Sequence, residues 1–111
     1  MDRKPLIYVA GAYSGNVSSN VNAAIHTADL LRSHNFIPFV PHLTLLWDTI
    51  IPHDYEFRLD LDFQYLLRCD GLFRMLGRSP GADREVDYAK SNGIPVFYTI
   101  YDMEQYFCEN A

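Results

Sequence analysis

Cysteine is scarce in this chain. Its two cysteines, Cys69 and Cys108, match neither a zinc ligand spacing nor a redox dithiol, and they read as ordinary thiols of a reducing compartment. No apolar run approaches the ~20 residues that cross a bilayer, and Leu6 to Ala10 is far too short for a signal-peptide core. No membrane association is expected, and a cytoplasmic location follows. Positive charge is also sparse: nine Lys and Arg stand against fourteen Asp and Glu, a net charge of -5. With no basic face, a DNA or RNA polymer is not an expected partner.

Several motifs are missing too. Gly11-Ala-Tyr-Ser-Gly15 is neither GxGxxG nor a P-loop, so a dinucleotide cofactor is not supported. His42 and His53 lack the helical spacing of a zinc pair, and no Ser-His-Asp order stands out. No metal and no cofactor are expected. There are no repeats, low-complexity tracts or linkers, and 111 residues make one domain, 1–111.

What is present is globular. Hydrophobic residues make up 49 %, with eight Tyr and seven Phe, which is enough to drive collapse. Short apolar runs predict strands at Pro5–Ala10, Phe36–Val40, Asp70–Met75 and Ile94–Tyr98, with Pro38 placing the second at a sheet edge. Helical periodicity predicts helices at about Ser19–Arg32, Tyr55–Arg68 and Ala82–Ser91, the last closed by Gly93. A short one follows at Asp102–Cys108, with Asp102 as its cap. On the first helix, Val21, Ala24, Ile25, Ala28 and Leu31 form the apolar stripe. Pro41 to His53 is too irregular to assign, and long connections are often functional. Strands alternating with helices predict an α/β fold: an open, Rossmann- or flavodoxin-like parallel sheet of four to five strands with helices on both faces. Ligands of such sheets bind beyond the C-terminal strand ends, here the loops Gly11–Asn16, Pro41 onward and Gly77–Gly81.

Two acids break the apolar pattern near those loops. Glu85 falls in line with Ala82, Val86 and Ala89, while Asp83, Arg84, Asp87 and Lys90 take the solvent side. Asp62 lies among Leu59, Phe63, Leu66 and Leu67. Asp60 is about 200° from it around the helix and serves as a control. Inward acids must be paired, hydrogen-bonded or functional. Glu85 in a first turn also suits the helix dipole, and Asp62 suits pairing with a buried Arg or Tyr. Two carboxylates facing one pocket raise each other's pKa and fit acid and nucleophile roles at a glycosidic bond.

The loops suit a polar ligand. Ser79 is a good N-cap, Pro80 fits the first helical position, and Gly81 permits close approach to free N–H groups, with Arg78 and Arg84 nearby. Tyr13 and Ser14 either contact sugar or phosphate or shape their turn. His42, Trp47, His53 and Tyr55 either stack on a base or pack the long segment against the domain or a second subunit.

Three blocks, Ile7-Tyr-Val-Ala-Gly-Ala-Tyr-Ser-Gly15, Asp62 through Cys69-Asp70, and Ser79-Pro-Gly-Ala-Asp-Arg-Glu85, resemble the nucleoside 2-deoxyribosyltransferase-like superfamily. With Gly93-Ile-Pro-Val-Phe97 they span nearly the whole chain. Val40-Pro-His-Leu43 and Trp47 are similar to short bacterial and phage members. The 2'-deoxynucleoside 5'-phosphate N-hydrolases and cytidylate hydrolases are more distant. The resemblance implies that Glu85 of Ser79-x-Gly81-x-x-x-Glu85 is a nucleophile at the anomeric carbon, and that Asp62 helps protonate the leaving base. It also implies that Ser79, Gly81, Tyr13, Ser14 and Gly15 hold sugar or phosphate; Gly11 of the same loop, and His42 and Trp47 on the stacking reading, join them in the candidate substrate site. The first loop lacks the arginine of the N-hydrolases. An N-glycosidase acting on a (deoxy)nucleoside or its 5'-monophosphate is the leading expectation, with Asp62 kept protonated by its surroundings and by Glu85. A deoxyribosyltransferase, a non-catalytic nucleotide or ADP-ribose-like binding module, and a scaffold are the alternatives. Homo-oligomerisation, as a dimer or higher, is expected, with Trp47 and its segment in the contact.

Overall fold

The computed structural model describes residues 3–110. Four parallel strands form one sheet in the order β2-β1-β3-β4. The strands are β1 (Leu6–Ala10), β2 (Ile37–Phe39), β3 (Gly71–Arg74) and β4 (Val96–Phe97). Five α-helices connect or cover them: α1 (Val17–Ser33), α2 (Leu45–Ile50), α3 (Tyr55–Leu67), α4 (Pro80–Ser91) and α5 (Ile100–Glu109). This is the expected Rossmann-like α/β architecture. Pro38 lies in β2, an edge strand paired only with β1, where a missing N–H costs no second ladder.

The pleat of β1 divides the core. Ile7 and Val9 face α1 and α5, packing with Ala24, Leu31, Phe97 and Met103. Tyr8 and Ala10 face α3 and α4, packing with Leu66, Leu72, Ala82, Val86 and Ala89. Successive side chains of a strand alternate faces, so one pentapeptide supplies both layers. Because β2 and β3 flank β1 on opposite sides, the chain changes direction between β1 and β3. A crevice therefore opens at their C-terminal ends.

Helix ends follow side-chain chemistry. Asn16, Asp54 and Ser79 cap α1, α3 and α4, accepting from Ser19, Phe57 and Ala82 amides at 3.1, 2.8 and 3.0 Å. Gly93 takes a left-handed φ of 71° just beyond α4, where a side chain would be strained. Three expectations need correction. Thr99, not Asp102, caps α5: its Oγ1 accepts from the Asp102 amide at 3.1 Å, and Asp102 sits in the first turn beside the helix's positive end. Ile25 leaves the α1 stripe and is 45 % exposed, because only Ala24, Ala28 and Leu31 are buried on that helix. The irregular stretch is ordered: Pro41–Thr44 forms a 3-10 turn running directly into α2. Six helical residues are too few to display a 3.6-residue period in the sequence.

Candidate active site

The crevice is a cleft of about 590 Å³. Its floor is the Gly11–Ser14 loop after β1. One wall is α3 and the other the first turn of α4, with Pro41, His42 and Leu45 closing a third side. Of the residues expected at a site, Glu85, Asp62, Gly11, Tyr13, Ser14, His42, Ser79 and Gly81 line this one space. Gly15 and Trp47 do not. Gly15 takes a left-handed φ of 94° in the exposed turn before α1. Trp47 sits on α2 over a separate small hollow beside His53 and Phe57. Asp60, the control, is exposed.

The floor is braced from two sides. The Asn20 side-chain amide donates to the carbonyls of Tyr13 and Ser14 at 3.1 and 2.9 Å, locking the loop to α1. His42 is buried, and its Nε2 lies 3.1 Å from the Ala12 carbonyl. Burial lowers its pKa, against the pull of the Ala12 and Gly11 carbonyls. The ring is therefore neutral at pH 7 and donates to Ala12, acting as a strut. Gly11 lets Met75 pack close: a Cβ there would meet Met75 Sδ at 2.6 Å and force that side chain to shift.

The two acids face each other across the cleft from α3 and α4. Burial pushes the Glu85 carboxyl up to about 7, the charge of Asp62 adds to this, and Tyr8, Arg74 and Arg84 oppose it. Burial pushes Asp62 up to about 6, with Arg58 opposing. Desolvation disfavours the charged form, and a neighbouring like charge disfavours it further. Both carboxyls therefore hold a proton to higher pH than a free acid does, with burial as the first cause at each, and Arg58, one turn before Asp62 on α3, opposes the shift there.

Tyr8 is the residue that sequence reasoning missed. Its hydroxyl donates to Glu85 Oε2. Burial foremost, and then the charges of Glu85 and Asp62, push the phenol well above its ordinary value, so it remains a donor. The available signal was its polar tip on the α4-facing side of a strand that leads straight into a glycine loop. Arg58 was missed as well, while Arg84 was expected only near the Gly81 loop. Both line the space, and the Arg84 guanidinium stacks over the Tyr55 ring at 5.5 Å. Among the described residues, no three metal-ligating side chains converge, and no helix is long and apolar enough to cross a membrane.

The class this geometry defines is an α/β domain with two buried carboxyls lining a cleft at the switch point of a parallel sheet. Within that class, the chain belongs to the family described as Domain of unknown function (DUF7768), whose model matches residues 5–99. Comparison with curated proteins finds no match. Among solved structures, the chain is similar to a conserved protein from Enterococcus faecalis V583 (TM-score 0.72, 20 % identity, 85 % of this chain and 62 % of that one). It is also similar to a 2-deoxyribosyltransferase from Bacillus psychrosaccharolyticus (0.62, 19 %, 82 % and 69 %). A third is a 2-desoxiribosyltransferase from Leishmania mexicana (0.63, 17 %, 83 % and 61 %). The chain spans less than two thirds of the first and third of these. At such identities the likeness is one of fold.

Proposed function

We propose that the protein is an N-glycosidase that cleaves the base–sugar bond of a (deoxy)nucleoside or its 5'-monophosphate. The observation that carries this reading is the placement of Glu85 and Asp62 in one cleft, both pushed toward neutrality and one of them held by Tyr8. The ionised Glu85 attacks the anomeric carbon as the bond to the base breaks, and Asp62 gives its proton to the departing base. A covalent glycosyl ester on Glu85 results. Water then attacks the same carbon, Asp62 takes the water's proton, and Glu85 leaves as carboxylate. The productive form has Glu85 ionised and Asp62 protonated, and burial brings the titrations of both carboxyls toward neutral pH.

Two features favour the monophosphate. Ser14, Ser79 and Gly81 stand at loops flanking the cleft, and two guanidiniums, Arg58 and Arg84, line it on a chain of net charge -5. Local cations are needed to bring an anion to an acidic protein. If a second base replaces water, the same chemistry is a transfer, and the 2-deoxyribosyltransferases that share the fold support that second reading. Leu43, Leu46, Trp47 and Ile50 are exposed beside the cleft residues Pro41, His42 and Leu45. This apolar rim is where we place a second copy of the chain, which light scattering at micromolar concentration checks.

The test is incubation with nucleosides and nucleoside monophosphates, reading free base by chromatography with Glu85→Ala in parallel. Base release by the wild type alone is the expected result. Faster turnover of a nucleoside than of its monophosphate would remove the phosphate preference. Binding without release would replace the enzyme by a binding module.

A further inference from the structure

The lining of the cleft is divided by chemistry. Ser14, Ser79 and Gly81 come from the loop after β1 and the start of α4, whereas the large apolar side chains Leu45, Tyr55 and Leu59 come from α2 and α3. Along α3, Tyr55, Leu59 and Asp62 follow at spacings of four and three residues. They therefore share one face of the helix and span about 10 Å of its axis. Exposure falls along that face. Tyr55 is 51 % exposed, Leu59 and Asp62 are half-buried, and Leu66, one turn further, is fully buried. Tyr55 thus stands at the mouth of the cleft, and Asp62 lies deeper.

The mouth carries a contact between the two walls. From α4, the Arg84 guanidinium carbon sits over the Tyr55 ring, 5.5 Å from its centroid. Both residues line the cleft, and Glu85 follows Arg84 directly on α4. An aromatic face attracts a guanidinium through its quadrupole. A guanidinium is flat, so the face turned away from the ring can take a second flat group, as an ammonium cannot. A ligand that joins a flat apolar part to a polar one would lay the flat part along Leu59 and this pair, and turn the polar part toward Ser14 and Ser79. In the reaction proposed above, the departing group must also reach Asp62 for its proton. Asp62 is on the same α3 face as Leu59 and Tyr55.

We propose that Tyr55 and Arg84 form the nucleobase subsite: the Tyr55 ring holds the guanidinium flat, and the leaving base stacks on that plane with its glycosidic end toward Asp62. The orientation toward Asp62 rests on the N-glycosidase reading, but the stacking requires only that a base enters the cleft. The charge of Arg84 still draws an anionic ligand to the site, while its plane selects the aromatic part.

The test is calorimetric binding of the 5'-monophosphates of adenosine, guanosine, cytidine and thymidine, beside ribose 5-phosphate, which has no base. Glu85→Gln protein is the background, so that no ligand is consumed. Tyr55→Leu removes the ring that holds the guanidinium, and Arg84→Lys keeps the charge without the plane. Each should weaken binding of the monophosphates by about tenfold, the scale of one stacked base, and leave ribose 5-phosphate within about twofold. Tyr55→Phe should restore the monophosphates. Tyr55 is half exposed, and the fold tolerates its replacement. Unchanged monophosphate affinities in Tyr55→Leu and Arg84→Lys overturn the proposal. So does an equal loss for ribose 5-phosphate, which would put the pair at the phosphate, and so does absence of binding by all four monophosphates. If the affinities fall as stated and the wild type releases no base, the function proposed above fails and the subsite stands. Base release with unchanged affinities gives the reverse.

Discussion

The α1/α5 face of the sheet and the α3/α4 face are built alike and differ in what interrupts them. On the first, Ile7, Val9, Ala24, Leu31, Phe97 and Met103 make an apolar layer with no ionisable side chain in it. On the second, Tyr8 belongs to the buried cluster, while Asp62 and Glu85 open from the helices covering it into the cleft. Both layers exclude water. On the first face that exclusion yields stability alone. On the second it moves pKa values, because the cost of desolvation falls on charged forms. The same physical effect holds one side of the protein together and tunes the other.

Substitutions on the two faces should therefore separate stability from chemistry. The largest effect is expected from Glu85→Gln, which removes the attacking carboxylate while keeping its shape. Turnover should fall by about 10³-fold or more with ligand binding retained, as base release and calorimetry together measure. On the opposite face, Leu31→Ala should cost about 2–5 kcal/mol of stability through loss of packing, read by urea denaturation. The folded fraction should keep its activity, and a matching loss per folded molecule would erase the contrast between the faces.

Stability should also depend on pH through the two buried acids, on top of the loss at low pH expected from protonating the buried His42. Both acids keep a proton in the folded state at pH values where the unfolded chain has lost it. Their contribution is fully present below the unfolded values of 3.8 and 4.5 and is lost as pH rises to about 6 and about 7. The wild type should lose on the order of 3 kcal/mol between pH 4.5 and 8 from these groups. Glu85→Gln should remove about half of that slope, Asp62 supplying the rest, and an unchanged slope would contradict the raised carboxyl. A smaller effect is expected from Tyr8→Phe. Loss of the donor should raise the Glu85 titration and lower turnover by about tenfold, the scale of one hydrogen bond to a charged group, with the melting temperature little changed. The smallest is Asp60→Asn, where kcat/KM should stay within about twofold, as for an exposed surface change.

Much of this was legible in the sequence because the relevant patterns are local. Glu85 and Asp62 stood out as acids in apolar stripes, and a stripe is read from spacing alone. Ser79 and Gly93 were legible from capping chemistry. Tyr8 was not, since a tyrosine in a buried strand is ordinary until its hydroxyl meets a carboxylate 77 residues away. Arg58 carried no signal in the sequence and Arg84 read as a solvent-side charge near the Gly81 loop; their presence on the cleft depends on how α3 and α4 lie against each other. Trp47 drew notice as a rare aromatic in a long connection, yet α2 sets it over a small hollow on the far side of Arg58 and Asp62 rather than in the cleft itself.

The sequence by itself determined the class of fold and the identity of the two acids, since periodicity, caps and glycine turns act over a few residues. Only the tertiary structure decided the sheet order, the residues that share the cleft, and how far each carboxyl is pushed toward neutrality. Those outcomes depend on distances between segments remote in the chain: Tyr8 donates to Glu85 from 77 residues away, and Asp62 shares a cleft with it, only after β1, α3 and α4 have packed together.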